Sequence, residues 1–274
     1  MSDTASASIS SADTASATSD SKTAFDWRGL VLPIAFVIVW YAVTALNLVN
    51  TKLIVPPAGV VAQGLKELAN GSFYLGIGLS LWRDLSGFTL GALAGIAVGA
   101  LIGVSHLADK VIGPTFHTAR QISLFAWLPL LSALVGTGEL SKIIFISFSA
   151  FYPVVLGTLE GVRGVSRAHA EVARVYGFTP AQVFFRLILP AASPQILAGL
   201  RLGLIYAWLA TIGAEYLLVN DGQGIGNIVF KGRMAFNVEL IIFGLLAIGL
   251  VGNVFNRIAA AGENRLLRWR APAR

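Results

Sequence analysis

The feature that most constrains this chain is a series of long apolar segments that carry almost no charge. A helix needs about 20 apolar residues to cross the hydrocarbon core of a bilayer, about 30 Å thick. Six segments approach that length: Leu30–Val49, Leu85–Val104, Gln121–Gly138, Ile143–Leu159, Ile196–Val219 and Val238–Ile258. In the third, the apolar character starts near Val111 and includes Arg120. We predict an all-α, polytopic integral membrane protein with about six transmembrane helices.

Composition supports this prediction. Of the 274 residues, 55% are hydrophobic and 12% are charged, whereas soluble domains contain about 25% charged residues. A typical soluble enzyme and a disordered protein are thereby excluded. The chain contains no cysteine, which excludes a disulfide framework, a thiolate nucleophile and a cysteine metal site.

The first 24 residues differ from the rest, because 21 of them are Ser, Ala, Thr or Asp. They cannot bury enough apolar surface to offset the entropy of ordering. A signal peptide would need a basic start and an apolar stretch, and both are missing here. We predict two regions: a disordered cytoplasmic tail over 1–24 and a transmembrane domain over 25–274.

The distribution of basic residues predicts the orientation. With six spans and a cytoplasmic N-terminus, 13 Lys and Arg residues lie in inner segments and six in outer segments. Both termini are therefore predicted to be cytoplasmic, although Lys52, Lys66 and Arg83 count against it. The outer segment Asn50–Asp84 contains Val61, Leu65 and Leu68 on one helical face, which fits either a helix on the membrane surface or a helix packed on the protein.

Five glycines recur every four residues in the second span: Gly87, Gly91, Gly95, Gly99 and Gly103. On a helix they form one stripe of small residues, and such stripes let another backbone approach closely. We predict that this stripe packs against a neighbouring helix, with a pore-lining role as the alternative.

The inner segment Gly161–Gln195 is longer than a connection between spans requires. Ser166 can cap a helix Arg167–Tyr176 that ends at Gly177. Thr179 and Pro180 then open a second helix, Pro180–Leu189, which we predict to stop at Pro190. Two capped helices between spans indicate a surface on which another protein docks.

The same segment resembles the EAA loop of ABC-importer permeases. The resemblance rests on Glu171-Val172-Ala173, on Gly177 six residues after the glutamate, and on Leu189-Pro190. Val172 replaces an alanine, and Leu187 stands where isoleucine is usual. Further motifs follow the order of the sulfonate, taurine, nitrate and bicarbonate branch: Val55-Pro56-Pro57, Leu81-Trp82-Arg83, Phe125-Ala126-Trp127-Leu128-Pro129-Leu130, Phe151-Tyr152-Pro153, Gly213-Ala214-Glu215, Gly224-Ile225-Gly226 and Leu266-Leu267-Arg268-Trp269-Arg270.

The resemblance implies a type I importer permease with the MetI-like fold. It implies a homodimer in the bacterial inner membrane, two ABC ATPase subunits and a periplasmic substrate-binding protein, with ATP and Mg bound by the ATPase and no cofactor on this chain. The chain would then be a pore subunit and not an enzyme. The ATPase-docking residues implied are Arg167, Glu171, Ala173, Arg174, Gly177, Leu189 and Pro190. The implied substrate is a small anion such as a sulfonate, taurine or nitrate.

Ionisable and aromatic residues within spans are candidates for the pore. His117 and Arg120 are three residues apart, and Arg120 suits an anion, although snorkelling to the interface is the alternative. For Glu215 a structural hydrogen bond or a binding-protein contact is favoured, since a carboxylate would repel an anion. Trp127 and Pro129 are predicted to mark a kink in the third span. Trp127 either lines the pore or packs against neighbouring side chains.

Other classes of function lack support in the sequence. There is no phosphate-binding loop of the type G-x-x-x-x-G-K-[ST], and His106, His117 and His169 do not have metal-ligand spacing. A pyrimidine precursor or an aromatic acid remains an alternative substrate. A stand-alone ion-coupled transporter is the rival class, but the central parts of the predicted spans carry no carboxylate.

Overall fold

The computed structural model describes residues 28–46, 48, 54–218 and 222–266, which are helical wherever regular structure occurs. The predicted N-terminal tail, residues 1–24, lies outside the described residues. The all-α prediction is confirmed. The chain divides into two units at residue 48, and the first contains helix α1 (Arg28–Ala45).

The described part of the second unit contains ten further helices. They are α2 (Pro57–Leu68), α3 (Gly71–Val104), α4 (His106–Ala119), α5 (Leu128–Val135), α6 (Glu139–Arg163), α7 (Arg167–Val175), α8 (Pro180–Val183), α9 (Leu189–Leu217), α10 (Ile225–Met234) and α11 (Val238–Leu266). A 3-10 turn, Leu124–Trp127, precedes α5, and a π-helical turn, Phe184–Ile188, joins α8 to α9.

Three long helices form the centre of this unit. In α3, Gly87 lies against Ile146 of α6 and Gly103 lies against Val162, so the two helices run parallel. Helix α9 runs antiparallel to α6, because Gly199 lies against Gly157 while Ser149 meets Tyr206. We call α3, α6 and α9 the central core.

The five predicted stripe glycines all lie against α6. A Cβ on any of them would come within 3.0 Å of an atom of α6 or overlap it. Gly91 is the tightest position, because its Cβ would overlap the carbonyl of Ser147. The absence of side chains along the stripe therefore permits the close contact between the two helices.

Four helices are long and apolar enough to cross a membrane: α3, α6, the segment Pro180–Leu217 and α11. Helices α4 and α5 qualify together as a fifth, with a bend of 94° between them. In α1 the apolar stretch is the shorter Val31–Ala45. The predicted count of six is therefore not confirmed.

The broken pair accounts for the unclear third span. Since α3 and α6 are parallel, residues 105–138 must return the chain from one end of the core to the other. The break falls at residues 120–123. It precedes Trp127 and Pro129, so the predicted position of the kink was too late, and Pro129 instead lies in the first turn of α5.

Two predicted helix boundaries were also wrong. Pro190 does not end a helix, because the π-helical turn just before it accommodates the proline and the chain continues as α9. The second span does not start at Leu85, since α3 begins at Gly71 and includes Arg83 and Asp84.

The helix predicted in the outer segment before the second span is present as α2. Its buried residues are Val60 and Gly64, whereas Val61, Leu65 and Leu68, which the sequence places on one face, are exposed.

Candidate functional site

The EAA-like loop lies where α6 ends and α9 begins. Helix α7 stops two residues before Gly177, which has a φ of +75°. The amide of Phe178 donates a hydrogen bond to the carbonyl of Ala173 at 3.1 Å. This is the glycine-ended cap of a helix C-terminus, in which glycine is preferred because side chains disfavour the left-handed backbone. A Cβ at Gly177 would meet nothing within 4 Å, so the requirement is one of backbone conformation and not of space.

Helix α7 exposes both a carboxylate and apolar side chains. Glu171 is exposed, Val175 is 87% exposed and Tyr176 is 78% exposed, whereas Ala173 is buried. The side chains of Arg167 and Arg174 are outside the described residues. Exposed apolar groups beside a charge are typical of a surface that another protein covers.

The second half of the loop is joined rigidly to the core. Thr179 and Gln182 form a capping box at the start of α8. The backbone N–H of Gln182 donates to the Thr179 hydroxyl at 3.4 Å, and the backbone N–H of Thr179 donates to Gln182 Oε1 at 2.9 Å. From there the π-helical turn continues directly into α9 through Leu189 and Pro190. The loop therefore joins α9 without an intervening stretch of irregular backbone.

A cavity of about 450 Å³ lies beside α6 and α9. Its polar lining residues are Arg120, Ser149, Tyr152, Glu160, Gln195 and Tyr206. Arg120 follows α4 directly, at the break in the bent pair. Within the described part of the chain, its guanidinium forms no salt bridge.

The other sequence-predicted pore residues lie elsewhere. His117 stacks edge-on against Phe116, at 5.4 Å between ring centroids. Trp127 stacks on Phe148 with an interplanar angle of 7°, and its buried indole N–H has no hydrogen-bond partner among the described residues. Of the four candidates, Arg120 alone is among the residues that line this cavity.

Glu215 belongs to a buried group of charges at the end of the core opposite the loop. Arg83 donates to both carboxylate oxygens of Glu139, at 2.6 Å each, and to Glu215 at 2.8 Å. Lys142 Nζ lies 3.0 Å from the same Glu139 carboxylate. We call Arg83, Glu139, Lys142 and Glu215 the buried charge cluster; Glu139 lies at its edge with a side chain that is 49% exposed, and the other three side chains are buried. Glu215 thus makes the structural hydrogen bonds that the sequence analysis favoured for it.

Asp84 lies next to the cluster and is fully buried. One of its oxygens accepts a hydrogen bond from the Thr211 hydroxyl at 3.0 Å, and the other has no partner among the described residues. The sequence analysis found no carboxylate in the central parts of the predicted spans, and Asp84 corrects that premise, because α3 extends past it on both sides.

Comparison with known proteins determines the family. Residues 87–268 match the family described as the inner membrane component of binding-protein-dependent transport systems. The chain belongs to this family. It is therefore a permease subunit of an ABC importer, of the sulfonate, nitrate and bicarbonate type.

Similar permeases come from several organisms. The chain is 32% identical to a protein named as an aliphatic sulfonates transport permease, SsuC, from Bacillus subtilis (strain 168), over 90% of this chain and 89% of that protein. It is 35% identical to the nitrate import permease protein NrtB from a Synechocystis species, over 71% and 72% of the two chains. The bicarbonate transport system permease protein CmpB of the same species is 29% identical, over 84% and 86%.

A solved structure supports the fold of the permease. A chain of the MetNI methionine ABC transporter, in an inward-facing conformation, superposes with a TM-score of 0.55 and 18% identity. The match covers 69% of this permease and 95% of that chain. The predicted MetI-like fold is confirmed.

The sequence analysis missed the buried charges of the permease. It counted Arg83 and Lys142 among outer-segment charges, whereas both side chains are almost completely buried. A signal was present for Arg83: residues 71–82 carry no charge, so apolar sequence flanks Arg83 and Asp84 on both sides. Removing these two from the count of outer charges leaves the predicted orientation unchanged.

Proposed function

We propose that this permease forms the translocation pore for a small anionic solute of the sulfonate, taurine or nitrate type, and that its EAA-like loop couples the pore to a partner ATPase. The observation that carries the proposal is the loop itself. It combines an exposed Glu171 and a left-handed Gly177 with a continuous connection into the central core.

The docking surface in this proposal comprises Arg167, Glu171, Arg174 and Gly177 on the loop, with Leu189 and Pro190 at the start of α9, while Ala173, which the resemblance also implied, is buried beneath it. The core is packed closely enough to move as one body when the loop is displaced. A Cβ on Gly157 would lie 2.6 Å from Gly199 Cα, and one on Gly161 would lie 2.8 Å from the Ala192 carbonyl. Close backbone packing supports rigid-body motion, because packed interfaces shift between discrete arrangements and do not deform continuously.

The cavity that Arg120 lines supports a polar path for the solute. Guanidinium groups donate several hydrogen bonds in one plane, and this geometry suits sulfonate and other oxyanions. Tyr152 and Tyr206 line the same space, as does Glu160, whose carboxylate is unfavourable for an anion. The names of the similar permeases also point to small oxyanions.

The assembly we propose has two copies of this permease, two ABC ATPase subunits below them and a periplasmic binding protein above. ATP and Mg are held and hydrolysed by the ATPase and not by this chain. Both termini lie in the cytoplasm, and the membrane is the bacterial inner membrane. The excess of basic residues in the inner segments supports this orientation.

Reconstitution in liposomes tests the proposal. The permease is combined with its candidate ATPase and candidate binding protein, and ATP hydrolysis is measured with and without taurine. We expect stimulation by loaded binding protein in the wild type, and its loss in Glu171→Ala and Gly177→Val. His169→Gln is the matched control, since His169 is exposed on α7 but two residues from Glu171 and so on another side of the helix.

The outcomes separate the parts of the proposal. Stimulation that persists in Glu171→Ala and Gly177→Val would remove the coupling role of the loop. A complex that assembles but does not respond to taurine or nitrate overturns the choice of solute. Uptake driven by an ion gradient without ATP would overturn the importer mechanism itself.

A further inference from the structure

Helix α10 is capped at its N-terminus by side chains from other helices. The first amides of a helix have no partner within it. Here the Ile225 amide donates to the Ser80 hydroxyl of α3 at 2.9 Å, and the Gly226 amide donates to Glu215 of α9 at 2.8 Å. The Glu215 carboxylate also faces the positive end of the helix dipole, which is favourable. The start of α10 is thus fixed by α3 and α9.

The turn before α10 is held by the same group of residues. Arg83 Nη1 donates to the carbonyl of Gln223 at 2.9 Å and to Glu215 at 2.8 Å. Gly224 has a φ of +123°, and a Cβ on it would overlap the Glu215 carboxylate. The backbone of this turn therefore lies directly on the buried charge cluster.

Stability alone does not explain such a cluster. Removing charges from water costs free energy, and replacing a buried ion pair with packed apolar residues is often neutral or stabilising. Arg83 and Glu215 are nevertheless almost completely buried. What an apolar replacement could not supply is the pair of directed hydrogen bonds to backbone groups, from Arg83 to the Gln223 carbonyl and from the Gly226 amide to Glu215.

We propose that Arg83 and Glu215 are positioning residues of the transport cycle, which bind the 222–226 turn and α10 to the central core. When the loop-bearing end of the core is displaced, α10 then moves together with the opposite end of the core. This inference rests on the proposed function, because it assigns the cluster a role in importer coupling. Loss of the cluster should leave ATP hydrolysis in place while less solute is transported for each ATP.

The first test measures hydrogen exchange on the full chain in lipid nanodiscs. In Glu215→Leu we expect amide exchange over residues 225–234 to rise at least tenfold more than exchange along α6. Ser80→Ala is the milder variant and should raise exchange at Ile225 with a smaller effect beyond it. An equal increase over the whole chain, or none over 225–234, overturns the proposal.

The second test measures the coupling ratio in proteoliposomes that contain the permease, its candidate ATPase and its candidate binding protein. Glu215→Gln keeps oxygen and size but removes the charge that faces Arg83. We expect taurine uptake per ATP to fall at least fivefold in this variant, with ATP hydrolysis within twofold of the wild type. Equal falls in uptake and hydrolysis indicate a merely structural role and overturn the proposal.

The ion pair between Arg201 of α9 and Glu263 of α11 supplies the matched control. Its N–O distance is 3.6 Å and Arg201 is partly exposed, so Arg201→Gln should leave the coupling ratio unchanged. If the wild-type complex shows no ATP-dependent uptake, the proposed function fails. The exchange experiment then still decides whether the cluster holds α10 in place.

Discussion

The two ends of the central core use charge in opposite ways. At one end Arg83 and Glu215 form a buried ion pair at 2.8 Å, and the backbone of the 222–226 turn lies on it. At the other end Arg163 and Asp109 form an ion pair at 2.7 Å whose side chains are 47% and 37% exposed, beside a loop with exposed apolar residues. The first arrangement fixes neighbouring elements, and the second leaves a surface available to a partner.

The difference indicates how one core can hold neighbouring elements firmly at one end and leave a surface available to a partner at the other. Elements with buried, fully bonded contacts open only with large free energies, whereas exposed segments open locally at low cost. The loop depends on its own caps and on its continuity with α9. Variants at the charge cluster should therefore change the stability of the whole protein, and variants at the loop should act locally. Four substitutions test this comparison.

The largest effect is expected for Arg83→Met. It leaves Glu215 buried without its cation, and breaking a buried pair in this way costs about 3–5 kcal/mol. The free energy of unfolding, measured by denaturant titration in detergent micelles, should fall by that amount. The double variant Arg83→Met/Glu215→Leu should recover only part of it, because the Gln223 carbonyl and the Gly226 amide still lose their partners. A single variant within about 1 kcal/mol of the wild type would contradict a buried, fully paired cluster.

The packing between the two ends is tested by Gly91→Ala. Its Cβ would overlap the Ser147 carbonyl, and overpacking of this kind costs about 1–3 kcal/mol. Gly78→Ala is the control on the same helix, where a Cβ meets nothing within 4 Å. That variant should be neutral or more stable by about 0.5–1 kcal/mol, since alanine favours helix. Equal losses in the two variants would rule out close packing as the cause.

At the loop end, Gly177→Ala forces a side chain into the left-handed region, which costs about 1–2 kcal/mol. We expect faster hydrogen exchange over residues 172–178, with a smaller change in the global unfolding midpoint than Gly91→Ala produces. Gly177→Asn should be milder, because asparagine tolerates this conformation. Unaltered exchange in the alanine variant would mean that α7 does not depend on this cap.

The smallest effect is expected for Arg163→Gln. An exposed ion pair contributes about 0.2–1 kcal/mol, and salt screens it. The variant should shift the unfolding free energy by no more than this, and the shift should shrink as ionic strength rises. A loss comparable to that of Arg83→Met would remove the contrast between the two ends.

Local patterns predicted much of the fold. The four-residue period of Gly87–Gly103 predicted a packing face, and α6 lies on it. The helix before Gly177 and the Thr179 cap were also located correctly. Pro190 was misjudged, since a local rule on proline does not foresee a π-helical turn that ends two residues upstream. The disordered cytoplasmic tail over residues 1–24 stays a prediction, because these residues lie outside the described part of the chain.

Composition and periodicity determined that this chain is a helical membrane protein. A helix that crosses the bilayer must have a minimum length and an apolar surface, and both can be recognised in a single sequence. The resemblance of the loop to a permease family rests instead on individual residues of the sequence, Glu171, Gly177 and Pro190. The pairing of Arg83 with Glu139 and Glu215 was decided only by the tertiary structure. Glu139 and Glu215 lie 56 and 132 positions after Arg83 in the sequence, and no local rule specifies which distant carboxylate will meet a buried guanidinium.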